Sequence, residues 1–269
     1  MIGGGAVTAE QNNIYGTLYL CATPIGNLED MTPRALRMLQ EADLIAAEDT
    51  RHTLQLLNHF NIKGRLVRYD EHSKDKQGEY LLGQLLEGKN VALVSDAGFP
   101  GIADPGEALA HDAIAHGIRV VPVPGANAAL CALIASVCRR IRFSSVGFLP
   151  KSKRNRREQL EKWQHIPATI ILYEAPHRIV EVLKDILNAW GDRPLAAARE
   201  LTKLHEEFYR GTVSGCLEWL EVNSPRGEFC LVLGAGDGAF AAAEEELEPL
   251  DEVSKLMAEG VDKKAAWRR

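Results

Sequence analysis

Five short apolar runs, Thr17–Thr23 (TLYLCAT), Leu44–Ala47, Leu66–Tyr69, Val91–Val94 and Ile118–Val123, are separated by longer stretches with helical periodicity. That rhythm constrains the fold more than any other feature. Strands alternating with helices build βαβ units, and such units make a mostly parallel sheet covered on both faces. The helix signals fall where this reading needs them. Thr32-Pro33 is a cap followed by a first-turn proline, and Gly88 ends a helix predicted over Lys74–Leu86. Asp104-Pro105-Gly106-Glu107 reads as a capping box ahead of a helix closed at Gly117. Helices over Thr53–Phe60 and Gly125–Ser136 complete this half.

After about Arg140 the rhythm changes. Phe143–Leu149 is strand-like, Ser152–Trp163 a basic helix, Thr169–Tyr173 a β-branched strand and His177–Trp190 an amphipathic helix. Leu195–Ala198 reads as a strand, Val213–Leu220 as a helix and Phe229–Leu233 as a closing strand. A second α/β domain is expected there. The expected division is a disordered segment over 1–14, an N-terminal α/β domain over 15–138, a C-terminal α/β domain over 139–236, and a linker and tail over 237–269. A chain of 269 residues, 46% hydrophobic, has the apolar mass for two modest cores. Its five cysteines fall at irregular spacings without a CxxC pair, which points away from a zinc site and from a disulfide framework. No apolar run approaches the roughly 20 residues of a membrane span, and the start lacks the regions of a signal peptide, so a cytoplasmic protein is expected.

In an open parallel sheet ligands sit beyond the carboxyl ends of the strands. Three loops at such ends stand out: Pro24-Ile25-Gly26-Asn27-Leu28, Ser95-Asp96-Ala97-Gly98-Phe99-Pro100-Gly101 and Pro124-Gly125-Ala126-Asn127-Ala128. Each combines glycine with proline or a short polar residue, which lets backbone approach a ligand closely. No GxGxxG follows the first strand and no GxxxxGK[ST] occurs, so a ligand without phosphates fits better than a dinucleotide or a nucleoside triphosphate.

These loops, with Gly16–Leu39 (GTLYLCATPIGNLEDMTPRALRML), Ala46–Thr53 (AAEDTRHT), Val91–Gly106 (VALVSDAGFPGIADPG), Val121–Ala126 (VPVPGA) and Arg199–Lys203 (RELTK), resemble the tetrapyrrole methylase superfamily. More narrowly, they resemble its branch that methylates a cytidine ribose 2′-oxygen in the 16S ribosomal RNA of the bacterial small subunit. The resemblance runs from about Tyr15 to Gly234. It implies a homodimer of two α/β domains that binds S-adenosylmethionine in a cleft between them, with no metal. The cofactor contacts it implies are Pro24, Asp96, Ala97, Gly98, Gly101, Asn127 and Ala128, with Glu174 and Leu201 from the second domain. Phe99 departs from the threonine expected there, Cys138-Arg139-Arg140 replaces a small-residue turn, and the helical C-terminal extension of the relatives is expected to be cut short after Arg269.

Methyl transfer from a sulfonium is an in-line displacement, so positioning dominates; it contributes on the order of 7–11 kcal/mol. A ribose hydroxyl is a weak acid, and a nearby base helps it lose its proton. Glu48, Asp49 and His72 are the candidate catalytic residues, in a polar cluster that also holds Arg51, His52, Asp70 and Glu71 at the ends of the second and third strands. Arg51 and His52 are assigned to RNA. The alternative is that Asp49 caps the following helix and His72 is a surface loop residue.

The net charge of −6, taken as a sum, disfavours a nucleic-acid partner, but its distribution matters more. Arg139 to Arg157 carries eight cations and no carboxylate. Unpaired positive charge is what phosphate contact requires, so Arg154, Arg156 and Arg157 are expected to bind RNA, together with His177 and Arg178 at the start of the next helix. Phe148 and Trp163 read as core. A methylase of a corrin or porphyrin precursor and a non-catalytic RNA-binding protein are the competing readings.

Overall fold

The computed structural model describes residues 15–235 apart from 103 and 105; the expected disordered start (1–14) and the linker and tail (237–269) lie outside the described residues. Contacts divide the chain after Ala128 into two units. The first contains β1 (Thr17–Cys21), α1 (Pro33–Glu41), β2 (Leu44–Ala47), α2 (Thr50–His59), β3 (Leu66–Arg68), α3 (Lys74–Leu86), β4 (Val91–Val94), α4 (Gly106–Ala115) and β5 (Arg119–Val123). Its five strands are all parallel, in the order β3-β2-β4-β1-β5.

Period-2 alternation sends successive strand residues to opposite faces. Cys21, Ile45, Ala47, Ala92, Val94 and Val123 pack under Ala35, Met38 and Leu39 of α1 and Leu57 of α2. Leu18, Leu44, Ala46, Val91 and Leu93 pack under Leu81 and Leu85 of α3 and Leu109 and Ala113 of α4. Because both faces are covered, β2 and β4 are buried at every position, as a central parallel strand must be. Thr32 caps α1, its Oγ1 accepting from the Ala35 N–H at 3.2 Å, with Pro33 at the first turn.

In the second unit α5 (Ala128–Ile134, begun at the boundary) is followed by β6 (Phe143–Phe148), α6 (Lys153–Trp163), β7 (Thr169–Glu174), α7 (Ile179–Trp190), β8 (Pro194–Arg199), β9 (Glu207–Thr212), α8 (Val213–Val222) and β10 (Phe229–Leu233). The sheet order is β6-β7-β10-β8-β9, with β6 and β7 parallel and the other pairs antiparallel. One face packs against α6, α7 and α8 through Leu160, Val182, Leu183, Ile186, Trp190, Cys216 and Leu220. The unit begins ten residues ahead of the expected Cys138/Arg139 boundary because the segment after α5 is tied to this sheet. Arg210 Nε donates to the Ala135 carbonyl at 2.7 Å, and the Cys138 thiol lies 3.6 Å from the Val232 carbonyl. The helix read over Gly125–Ser136 is shorter, and β9 went unread: EFYRGT has no apolar alternation and is held by its ladder to β8. No helix among the described residues is long and apolar enough to cross a membrane.

Candidate functional site

The order β2-β4-β1-β5 makes four carboxyl ends adjacent, and they carry the acidic cluster and the three glycine loops in sequence. The chain leaves β1 toward β2 through α1 on one face and leaves β4 toward β5 through α4 on the other. The β4/β1 junction is therefore the topological switch point, where open α/β sheets place ligands. Thr23 and Gly98 bridge the two loops there, Thr23 N–H to Gly98 O at 2.9 Å and Gly98 N–H to Thr23 O at 3.1 Å. Thr23 Oγ1 donates to the Ser95 carbonyl at 3.0 Å. The loop after β5 joins them: a Cβ on Gly125 would lie 2.7 Å from that of Ala22, and Thr32 Oγ1 donates to the Pro124 carbonyl at 3.3 Å. Gly98 and Gly101 adopt φ of +80° and +83°, the left-handed region that glycine tolerates. The far end of the β4 loop is closed by Asp104, whose Oδ1 accepts from Gly101 N–H and Gly106 N–H, both at 2.8 Å.

Asp96 and Glu48 clasp the β2 and β4 loops reciprocally. Asp49 N–H donates to Asp96 Oδ1 at 3.2 Å, and the Asp96 N–H donates to the Glu48 carboxylate. Burial, then the charges of Asp96 and Asp104, push Glu48 above the usual carboxylate range, against the opposing hydrogen bond from Asp96. Asp49 behaves oppositely. Its Oδ1 caps α2 by accepting from Arg51 N–H at 2.8 Å, and Oδ2 meets Arg51 Nη2 at 2.8 Å. The Arg51 side chain and backbone hold Asp49 well below the usual carboxylate range. Asp70 is occupied by Ser73 and Arg68, while His52 and His72 are solvent-exposed on α2 and on the turn after β3. Asp104, read from the sequence as the start of a capping box, also closes the β4 loop through Gly101 N–H. Thr23, which joins the loops, was not singled out in the sequence, and a threonine at a strand end beside the proline loop was the available signal.

At the carboxyl end of β7, Glu174 is 1% exposed, and its Oε1 accepts from the Ala175 N–H at 2.8 Å. Its Oε2 has no hydrogen-bond donor; Arg178 Nη2 stands 3.5 Å away and donates instead to the Leu149 and Pro150 carbonyls. Leu201 lies between Glu200 and Thr202, both at positive φ (51° and 67°), and the Thr202 hydroxyl is buried without a partner. Two strained non-glycine residues flanking one position cost of order 1–3 kcal/mol each and mark such a turn as a candidate ligand contact. His177 is exposed in the turn ahead of α7.

The basic run is divided by burial. Arg154 is exposed and pairs with Glu158 one turn on. Arg156 does not face solvent, and the expectation that it contacts RNA is corrected: at 1% exposure its Nη2 binds Asp185 at 2.6 Å and Glu181 at 2.7 Å. Arg157, half-exposed, meets the other oxygen of Asp185 at 3.0 Å. Arg156 and Arg157 find their carboxylates on α7. Trp163 packs on the core as expected, whereas Phe148 is 61% exposed.

Residues 17–216 match the family model for tetrapyrrole (corrin/porphyrin) methylases. A protein called ribosomal RNA small subunit methyltransferase I from Halalkalibacterium halodurans is 49% identical over 97% of this chain and 91% of its own length. One of the same name from Synechocystis is 47% identical over 94% and 91%. The solved uroporphyrin-III C-methyltransferase of Thermus thermophilus complexed with S-adenosylhomocysteine covers 81% of this chain and 97% of its own at a TM-score of 0.55; at 21% identity it speaks for the fold alone. The chain belongs to the tetrapyrrole (corrin/porphyrin) methylase family and, within it, groups with the proteins called ribosomal RNA small subunit methyltransferase I.

Proposed function

We propose that this chain is an S-adenosylmethionine-dependent methyltransferase that modifies the ribose 2′-oxygen of a cytidine in bacterial 16S ribosomal RNA. The observation that carries the reading is its near-full-length 49% identity to a protein called ribosomal RNA small subunit methyltransferase I. The partners that follow are the small ribosomal subunit and a second copy of the chain, in the cytoplasm.

The first unit suits such a cofactor. Its three loops carry no lysine or arginine, and the carboxylates of Glu48, Asp96 and Asp104 crowd the same strand ends, which repels phosphate and favours a cation. S-adenosylmethionine, when bound, supplies a methyl group on a positively charged sulfur. Pro24, Asp96, Ala97, Gly98, Gly101, Asn127 and Ala128 are the residues proposed to hold it. In the second unit Glu174, whose Oε2 lacks a hydrogen-bond donor, and the Leu201 turn keep their assignment as cofactor contacts.

Among the catalytic candidates, Glu48 is the better proton acceptor for the 2′-hydroxyl, because a carboxylate raised toward neutrality holds a proton more readily. Asp49 is tied to Arg51 and to the start of α2; it serves by fixing the loop that carries Glu48. His72 is an alternative proton carrier on the neighbouring strand end, and Arg51, His52, Arg154, Arg157, His177 and Arg178 remain the proposed RNA contacts. Tritiated methyl transfer into small subunits from cells lacking the modification, followed by mapping of the labelled ribose, tests the reading. Label on a cytidine 2′-oxygen is expected; label in a tetrapyrrole precursor but none in RNA overturns it.

A further inference from the structure

We propose that the outer edge of β6 is a platform for single-stranded RNA, on which Phe148 stacks a base while Arg140 and Lys151 hold flanking phosphates; this rests on the RNA-methylating reading above. β6 is an edge strand of its sheet, so one side of its backbone is unpaired. Arg139, Arg140 and Arg142 precede it and Lys151, Lys153 and Arg154 follow it. Arg140, Lys151 and Lys153 are exposed and form no ion pair among the described residues.

The aromatic component is placed by a backbone irregularity. Simple alternation from the exposed Phe143 and Ser145 would turn Phe148 inward. The register shifts between Ser145 and Phe148, with Gly147 at φ +66°, so one extra residue faces the partner strand and Phe148 returns to the side of Phe143. The result is a ring 61% exposed, beside Phe143 at 43% and Ile141 at 96%. Tyr173 packs on the Phe148 ring, centroids 5.6 Å apart at 50°, which limits what immobilisation costs while the ring stays 61% exposed. Cations alone would be an ordinary guard against edge-to-edge pairing. Exposed aromatics work against that purpose, whereas aromatics interleaved with cations are what single-stranded nucleic acid binds. A second copy of this chain on the same edge would bring like charges together, so RNA is the occupant the charges favour.

The test uses the full chain, a short fluorescent single-stranded oligoribonucleotide and its duplex, titrated across salt. Phe148→Ala is expected to weaken single-strand binding about tenfold without changing the salt slope, and Phe148→Trp to retain affinity within about twofold. Arg140→Ala with Lys151→Ala is expected to lower the log–log slope by about 1.4, about 0.7 per phosphate contact. Wild-type affinity in Phe148→Ala overturns the platform, as does equal dependence on Phe148 for the duplex. Dissociation of a dimer by Phe148→Ala, seen in sedimentation with RNA affinity unmoved, assigns the edge to a second copy and also overturns it. Methyl transfer measured on the same proteins separates the two claims. A wild type that binds the strand through Phe148 but labels no ribosomal RNA sinks only the parent reading, and normal labelling with Phe148-independent binding sinks only the platform.

Discussion

Replacing Arg156 by alanine separates a structural cation from a phosphate-binding one. Arg156 is 1% exposed and Asp185 3%, and the guanidinium donates to Asp185 Oδ2 at 2.9 Å from Nε and 2.6 Å from Nη2, and to Glu181 at 2.7 Å. Removing one partner of a buried pair typically costs about 3–5 kcal/mol. Asp185 keeps Arg157 at 3.0 Å, so the lower end, about 3 kcal/mol, is expected here. At about 2–4 °C per kcal/mol for a chain of this size, Tm should fall by about 6–12 °C. The pair is also sensitive to acid. Burial pushes Asp185 up, but hydrogen bonds from Arg156 and Arg157 outweigh it and hold the carboxyl below its ordinary value. A depressed carboxylate contributes stability that is present above its unfolded pKa and lost as pH falls through the folded one. The gap between wild type and variant should therefore stay constant near neutrality and shrink below about pH 4. Arg156→Met with Asp185→Leu should recover most of the loss, since apolar residues of similar volume can replace a buried pair. Scanning calorimetry across pH, with RNA titration below the melting range, decides the matter. A wild-type Tm in Arg156→Ala together with a reduced salt slope for RNA would refute the structural assignment.

Glu48→Gln removes a carboxylate whose folded pKa is raised, so its ionised form opposes folding and the substitution should leave Tm unchanged or slightly higher while slowing single-turnover methylation about 100-fold. Normal single-turnover rates would leave positioning alone as the chemistry. Gly98→Val should weaken S-adenosylmethionine binding at least tenfold, about 1.4 kcal/mol, by forcing a β-branched residue to φ +80°; calorimetry showing native affinity would place the cofactor elsewhere. At Gly147 a Cβ would meet nothing within 4 Å. Gly147→Ala should therefore cost only the strain of its positive φ, about 1–2 kcal/mol, and a larger loss of Tm than that allows would reveal packing that the open space does not suggest.

What the sequence disclosed follows from the range of the interactions involved. The parallel half was legible because β2 and β4 are buried on both faces and so consist of unbroken apolar residues, and because Thr32-Pro33 acts within one turn of its own position. The three glycine loops were legible for the same reason, as each is a local backbone requirement at a strand end. Their joining was not, since the Thr23–Gly98 bridge and the Ala22–Gly125 approach span some 75 and 103 positions of chain. The misreadings in the second unit share a cause. Arg156 looked unpaired because its carboxylates lie 25 and 29 positions away on α7, and Phe148 read as core because the bulge between Ser145 and Phe148, which turns it outward, shows only in the pairing with β7. β9 has no apolar pattern of its own; its place is set by the register of β8. Local charge density therefore counts cations without revealing which of them reach solvent. In this run that difference separates Arg156, which binds α6 to α7, from Arg140 and Lys151, which have no carboxylate partner among the described residues and remain available to an anionic ligand.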